Sequence, residues 1–296
     1  MSLRVIPLTD PDRRPASFRL AWLAADGDGV PLGSAFLRVH TQPGQDHLAE
    51  LDLTVHPAER RKGAGSALLE HALAAARDEA RRAVTASAGA DSPGQAFLAA
   101  KGARKVLTLV FARLGLDEAD MTAVAEAAGH PHPGYRLTSW TGTVPGDLAQ
   151  SYADSRRAMD DMPMDDTDYG TVVWDVERVR EAAAAVEKRG ELLHTVAAVA
   201  EDDGSIVGFT ELVVAGNGEG DGQHYGTAVL PEHRGHGLGV WMKAEAIRQA
   251  RGTHPRLGGL LTDTAESNGY MRAVNDRFGY RETHREVTYQ FDLGAG

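Results

Sequence analysis

The sequence predicts an α/β (α+β) protein of two tandem domains, each a mixed central sheet flanked by helices. Three observations carry this. The chain has 296 residues, and two domains of about 150 residues are the ordinary use of that length. In each half, strands with alternating apolar residues give way to a strand–helix–strand crossover, the pattern of a mixed sheet. One stretch also occurs twice. Val55-His56-Pro57-Ala58-Glu59-Arg60-Arg61-Lys62-Gly63-Ala64-Gly65 and Val229-Leu230-Pro231-Glu232-His233-Arg234-Gly235-His236-Gly237-Leu238-Gly239 each join a strand end to a helix. Their proline, arginine and two glycines share one offset of 174 residues, as from Arg60 to Arg234. That is too long for a solenoid unit and suits a duplicated domain.

The first half reads in order as follows. Leu3–Leu8 is β-prone and is broken by Pro7 through Pro15. Phe18–Ala24 and Leu32–His40 are strands around a hairpin turn at Asp26-Gly27-Asp28-Gly29, and Gln42-Pro43-Gly44 turns the chain again. Leu48–Val55 alternates Leu51, Leu53 and Val55 with Glu50, Asp52 and Thr54. After the first glycine loop come an alanine-rich helix over about 66–82, a strand Val84–Ala88, a helix Gln95–Lys101 ended by Gly102, and a strand Lys105–Arg113. An acidic helical stretch from Asp117 to Ala128 then leads to Gly129-His130-Pro131-His132-Pro133-Gly134. This knot of turn residues places the seam at about 130, giving domains over 1–130 and 131–296.

The second half repeats the plan with one addition. Tyr135–Trp140 is a strand and Pro145–Arg157 is helical. An acidic loop follows, Met159 to Asp168, then a helix Trp174–Arg189 ended by Gly190. Strands Leu192–Ala200 and Ile206–Val214 flank the turn Asp202-Asp203-Gly204. A glycine-rich loop 216–222 leads to Gln223–Leu230 and the second copy of the repeated stretch. Helix 240–250, strand Leu257–Asp263, helix Asn268–Phe278 and strand Arg285–Leu293 complete it. From Arg4 to Val55 is 51 positions, whereas from Arg136 to Val229 is 93. The helix–acidic loop–helix segment accounts for the difference and has no counterpart in the first half.

Composition narrows the function. The net charge of −11 argues against nucleic acid as a partner and makes the local Arg60-Arg61-Lys62 stand out. The absence of cysteine excludes disulfides, thiol nucleophiles and cysteine metal sites. Twelve histidines are present without a His-x-x-x-His or other ligand spacing, so no metal is expected. No apolar run approaches the roughly 20 residues that span a bilayer, and Met1-Ser2-Leu3-Arg4 leads into no signal-peptide core. A cytoplasmic protein with no membrane partner, monomeric or homodimeric, is expected.

The repeated loop carries the chemistry. Glycines leave backbone N–H groups uncovered, and at a helix N-terminus such donors and the macrodipole together favour a phosphate. A Walker loop would need Lys-Ser/Thr where Gly239 is followed by Val240-Trp241, and a dinucleotide fingerprint would need a third glycine where Met242 stands. What remains is Arg-x-x-Gly-x-Gly between strand and helix. The expected anion-binding residues are Val229, Leu230, Arg234, Gly235, His236, Gly237, Leu238 and Gly239, with Val55, Arg60, Arg61, Lys62, Gly63, Ala64 and Gly65 in the first copy. Arg60 and Arg234 are expected to pair with phosphate, since a guanidinium beside a glycine loop offers a bidentate fork. Trp174 and Trp241 are expected in the core.

This pattern resembles motif A of the GNAT acyltransferases, and the whole chain resembles a tandem GNAT protein of the mycothiol-synthase type. Thr262-Asp263, Asn268-Gly269-Tyr270-Met271 and Ala273 through Tyr280 resemble motif B; Asp91…Gly102-Ala103 is the poorer counterpart. The resemblance implies acetyl- or acyl-coenzyme A as donor, with Asn268 and Asn275 added to the donor site, an amine acceptor, and direct attack in a ternary complex. It also implies that the early helices wall the acceptor pocket, so the first half reads as reduced and structural and the second as catalytic. Where many family members carry a general-acid tyrosine, seven residues after the motif B asparagine, stands Asn275 (Leu98 in the first half). Where mycothiol synthase has a glutamate, six residues before the strand-end valine, stands Gln223 (Ala49 in the first half). Those two roles are not carried over.

The attacking amine must lose a proton to a group within reach. Candidates are Glu211, on the strand Phe209–Val214, and His224 beside the missing glutamate. Asp160, Asp161 and Asp165 suit the holding of a cationic acceptor. Three functions compete: an N-acyltransferase acting on a small amine, a protein N-acetyltransferase, and a non-catalytic acyl-coenzyme A sensor or scaffold. The acidic loop favours the first.

Overall fold

A computed structural model describes residues 3–9, 16–170 and 172–294. Met1, Ser2 and residues 10–15 of the break expected over Pro7–Pro15 lie outside the described residues. The chain forms two compact units. The described parts of Met1–Leu109, Met164–Val173 and Arg285–Gly296 make the first; Val110–Pro163 and Trp174–His284 make the second.

In the first unit, β1 (Arg4–Leu8), β2 (Ser17–Ala25), β3 (Pro31–His40) and β4 (Leu48–Val55) form an antiparallel meander. Helix α1 (Ala64–Asp78) crosses over to β5 (Ala83–Gly89), which runs parallel to β4. Helix α2 (Pro93–Ala100) follows, capped by Ser92, whose Oγ accepts from the Gln95 amide. The unit also takes the start of β6 (Arg104–Gly115) and the end of β12 (Arg281–Asp292), of which Glu286–Asp292 pairs antiparallel to β5. The apolar face of α1, Leu68, Leu69, Ala72 and Ala76, packs on Leu37, Leu51, Val84 and Phe291 of the sheet.

The second unit repeats this topology. Strands β7 (Tyr135–Thr141), β8 (Glu191–Ala200), β9 (Ile206–Ala215) and β10 (Gly220–Val229) are antiparallel neighbours. Helix α6 (Leu238–Thr253) crosses over to β11 (Leu257–Ala265), parallel to β10, and α7 (Gly269–Arg277) follows, capped by Asn268. Helices α4 (Ala149–Ser155) and α5 (Val176–Lys188) belong to the added segment. One face of α6 buries Leu238, Met242 and Ala246 against Val196 and Phe209. Its other face buries Ala244, Ile247 and Ala250 against Leu260, Phe278 and the connector helix α3 (Met121–Gly129).

That last contact moves the boundary. The seam expected at about 130 follows α3, but the compact units divide after Leu109. Val124 and Ala127 of α3 find their apolar partners on α6, and Trp241 Nε1 donates to the Ala128 carbonyl at 2.8 Å, so the connector folds with what comes after it. Three shorter differences follow from local chemistry. Helix α3 starts at Met121, because Asp120 Oδ1 accepts from the Thr122 and Ala123 amides and fixes the N-cap there. The helix expected from Pro145 begins at Ala149 and ends as a 3-10 turn over Arg156–Met159. Three of the seven residues of the glycine-rich loop 216–222 are strand, because Gly220–Gly222 pair with Leu257–Leu260.

Both parallel pairs part. β10 pairs with β11 only from Gly220 to Gln223, although β10 runs to Val229 and β11 to Ala265. In the first unit β4 pairs with β5 only from Leu48 to Glu50, although β4 runs to Val55. Each strand therefore presents unpaired backbone just before its glycine loop.

Ile247 is fully buried at the α6 centre. Ile247→Ala is expected to lower stability by about 2–5 kcal/mol. Denaturant unfolding followed by tryptophan fluorescence checks this, since Trp140, Trp174 and Trp241 all report on the second unit.

Candidate active site

The second glycine loop begins where β10 ends. Pro231–His233 forms one 3-10 turn, and Arg234 Nε donates to the Val229 carbonyl at 3.0 Å, closing the loop on its own strand. The same bond occurs in the first copy, from Arg60 Nε to the Val55 carbonyl at 3.2 Å. The repeated arginine is thus first a brace for the turn. Gly237 is the N-cap of α6 at φ 74°, and Gly63 is that of α1 at φ 97°, a left-handed conformation that explains the glycine at both positions. No side chain caps Gly237, so the amides of Leu238, Gly239 and Val240 stand open, with the helix dipole behind them.

Gly237, Leu238 and Gly239 line a cleft of about 500 Å³. It brings together Val229, Arg234, Gly235, Gly237, Leu238, Gly239 and Asn268 from the expected donor site, with Asp161 from the expected acceptor site. Ala158, Met162 and Pro163 of the added segment line the same cleft, as does Tyr270. The glycine loop and the added segment are fastened by two exposed ion pairs. Arg234 Nη1 and Nη2 donate to both Asp161 oxygens at 2.6 and 2.7 Å, and Arg157 pairs with Glu232. The Arg234 hydrogen bonds hold the Asp161 carboxyl below the usual carboxylate range, and Arg157 does the same for Glu232.

Other expected residues lie elsewhere. Leu230 is buried against the core. His236 lines a separate cleft of about 480 Å³ on the other side of the loop. There His132 stacks on Trp241 at 4.2 Å and its Nδ1 meets the His236 carbonyl at 2.9 Å. The Gly129–Gly134 knot is therefore a wall behind the loop and not a free linker. Of the acidic trio, Asp165 falls in the segment Met164–Val173 that folds with the first unit. There the Asp166 amide donates to the Val106 carbonyl, and His47 Nε2 meets Asp168 Oδ1 at 3.1 Å. The acidic loop is docked over its second half, which corrects its reading as one acceptor-binding cluster.

Glu211 does not stand ready as a base. It is 7 % exposed, and its Oε1 accepts from the Tyr152 hydroxyl at 2.6 Å while its Oε2 pairs with Arg156 Nη1 at 2.8 Å. The Arg156 guanidinium lies 4.0 Å from the Trp174 ring centroid and 4.7 Å from that of Phe209. Beside the cluster is a cavity of about 20 Å³, lined by the unpartnered Arg156 Nε and Thr195 Oγ1. That is room for about one water molecule. The carboxylate is engaged on both oxygens because an unpaired charge at this depth would be costly.

His224 and Asn275 also face inward. His224 lies at a register irregularity of β10, is buried, and has no partner for either ring nitrogen. Burial, with the positive Lys243 nearby, pushes its pKa well below the usual histidine value, so the ring is neutral. Asn275 is 5 % exposed and accepts from Lys243 Nζ at 2.5 Å instead of reaching the donor cleft. Gln223, at the missing-glutamate position, bridges the parting strands: its Nε2 donates to the His224 carbonyl at 3.1 Å and to Asp263 Oδ1 at 3.3 Å.

In the first copy, Lys62 pairs with Glu59 at 3.1 Å and Ala64 is buried. Arg61 takes a positive φ of 65°. Gly65 faces the Phe97 ring, 3.5 Å from where a Cβ would stand. Sequence reasoning missed Lys243, Tyr152 and Arg156. Lys243 had a visible signal, as a lysine within the apolar stripe of α6, four residues after Gly239. Among the described residues no group of three or more side chains is placed to hold a metal, and no helix is long and apolar enough to cross a membrane.

Two stability outcomes follow. Glu211→Leu leaves Arg156 buried without its counter-charge and is expected to cost about 3–5 kcal/mol. Lys243 is pushed down to about 7 by burial, whereas an unfolded lysine titrates near 10.4. The unfolded chain therefore binds the extra proton between those values, so this lysine opposes folding near neutrality and less as pH rises. Lys243→Met is expected to raise stability near pH 7 by about 1–4 kcal/mol, with the gain shrinking toward pH 10. Denaturant midpoints across pH check both.

Comparison with known proteins agrees with this geometry. The family model of the Acetyltransferase (GNAT) family matches residues 4–101 and 158–280. The mycothiol acetyltransferase of Stackebrandtia nassauensis is 30% identical over 90% of this chain and 81% of its own length. That of Thermomonospora curvata is 28% identical over 89% of this chain and 80% of its own. Among solved structures, a tandem GNAT protein from the clavulanic acid biosynthesis pathway superposes with a TM-score of 0.77 at 24% identity, covering 100% of both chains. A GCN5-related N-acetyltransferase from Sphaerobacter thermophilus gives 0.63 at 18% identity, over 93% of this chain and 81% of its own. With motif A formed twice over parting parallel strands, the chain belongs to the GNAT acetyltransferase family.

Proposed function

We propose that the protein moves an acetyl (or acyl) group from coenzyme A to the amine of a small molecule, by direct attack in a ternary complex in the second unit. The observation that carries this is the shared cleft: Leu238 and Gly239 of α6 and the wall 158–163 of the added segment line the same 500 Å³. The amides of Leu238, Gly239 and Val240 take the pyrophosphate. Its charge competes with Asp161 for the Arg234 guanidinium, and the carboxylate so released turns to the ammonium of the acceptor. Donor binding thereby prepares the acceptor side.

Neither expected base lines the cleft: His224 is buried with its pKa pushed well below the usual histidine value, and Glu211 is engaged on both oxygens. The names of the mycothiol acetyltransferase relatives support a small-molecule acceptor. Gln223 stands at the position where the resemblance to mycothiol synthase implies a glutamate. The first unit is structural in this reading, since its glycine loop has no counterpart of the added helix–acidic loop–helix segment beside it. The engagement of Glu211 favours one other reading, an acyl-coenzyme A sensor.

Thiol release from acetyl-coenzyme A, measured against a panel of amino sugars, amino acid derivatives and polyamines, tests the proposal. Release that depends on one class of amine supports it; tight donor binding with no amine-dependent release supports the sensor. Asp161→Asn removes the competitor for Arg234 and is expected to tighten donor binding about two- to fivefold, the scale of an exposed ion pair. Calorimetric titration with coenzyme A checks it.

A further inference from the structure

The cleft at the second glycine loop is closed at one end by a methionine. Its lining on β10 is Thr227, Ala228 and Val229, and it continues over Arg234, Gly235 and the first residues of α6. On the strand the lining stops at Thr227. The next residue back, Gly226, is covered. A Cβ built there would stand 3.0 Å from Met159 Cε and 3.6 Å from Met159 Sδ. Among the described residues nothing else beyond its chain neighbours comes within 4 Å of that point. Gly226 does not take a left-handed conformation, so the backbone does not demand glycine there. Its missing side chain is the space that Met159 fills.

Met159 is also held in place. It ends the 3-10 turn Arg156–Met159, is half-buried, and packs against the core of the second unit. Two residues before it, Arg157 pairs with Glu232; two residues after it, Asp161 pairs with Arg234. Its backbone is thus tied on both sides to the glycine loop, while its unbranched side chain keeps three rotatable bonds. The surroundings are apolar. Ala158 before it, and Met162 and Pro163 after it, line the cleft. The hydroxyl at that end, Thr227 Oγ1, already shares a hydrogen bond with Thr210 Oγ1 at 2.7 Å.

Resting on the donor reading above, we propose that Met159 limits the length of the acyl group, so that the donor is a short-chain acyl-coenzyme A of acetyl size. With the pyrophosphate at the α6 amides, the rest of the donor follows the cleft toward Thr227, and its acyl end meets the methionine. An acetyl group needs no room beyond that point. Each further methylene must displace the Met159 side chain or stay in water. Truncation to alanine removes Cγ, Sδ and Cε and leaves an apolar recess over Gly226 with room for about two methylenes. A methylene buried there strengthens binding about fourfold.

The test titrates acetyl- and butyryl-coenzyme A calorimetrically into the wild-type protein, Met159→Ala and Met159→Leu. Butyryl carries two more methylenes than acetyl. The wild type is expected to bind butyryl-coenzyme A no tighter than acetyl-coenzyme A. In Met159→Ala the ratio of affinities should move toward butyryl by about tenfold, with acetyl-coenzyme A still bound. Met159→Leu, of similar volume, should restore the wild-type ranking. Tighter binding of butyryl-coenzyme A by the wild type overturns the assignment without any variant. A ratio that Met159→Ala leaves unchanged overturns it as well. If neither thioester binds the wild type, the donor reading itself falls.

Discussion

The second unit depends on a parallel strand pair that does not stay paired. β10 and β11 share hydrogen bonds for four residues of β10 and then separate. Backbone groups left open in a protein interior must find partners or meet a ligand. Here the glycine loop, the cap of α6 and the side chain of Gln223 all gather at that opening. Gln223 holds its vertex by bonding to both strands, the His224 carbonyl on one and Asp263 on the other. The opening is therefore a held geometry.

Duplication shows which parts of the loop the fold requires and which parts serve function. The arginine-to-strand-carbonyl bond and the left-handed glycine N-cap occur in both copies, at nearly the same distances and angles. They are what a tight strand-to-helix turn needs. The two ion pairs to the added segment and the cleft of about 500 Å³ belong to the second copy. An aromatic side chain stands 3.5 Å from where a Cβ would be in both copies, Phe97 at Gly65 and Tyr270 at Gly239. The turn is thus shared, and the added segment is what distinguishes the second copy.

Much of this was legible in the residues. The twice-repeated Pro, Arg and two Gly at one offset announced the strand–turn–helix units, and the strands of both halves lie within a few residues of their expected places. What the pattern could not show was pairing across distance. Asp161 and Arg234 were each expected at a site, one for acceptor and one for phosphate; only folding reveals that they hold each other. Glu211 is a carboxylate on a strand of the second half, but its partners Tyr152 and Arg156 come from a segment more than fifty residues earlier. Burial decides its role, and burial is a property of the packed sheet. The seam expected at about 130 and the division after Leu109 differ for a related reason, because turn residues mark where a chain bends and not which side of the bend a helix will pack on.

Native mass spectrometry with acetyl-coenzyme A tests the central claim, that the second glycine loop holds the donor while the first serves structure. It would count bound molecules on the intact chain and on the Gly65→Trp and Gly239→Trp variants. The account predicts one molecule per chain, kept in Gly65→Trp and lost in Gly239→Trp. Two molecules per chain, or binding that survives Gly239→Trp, would contradict it.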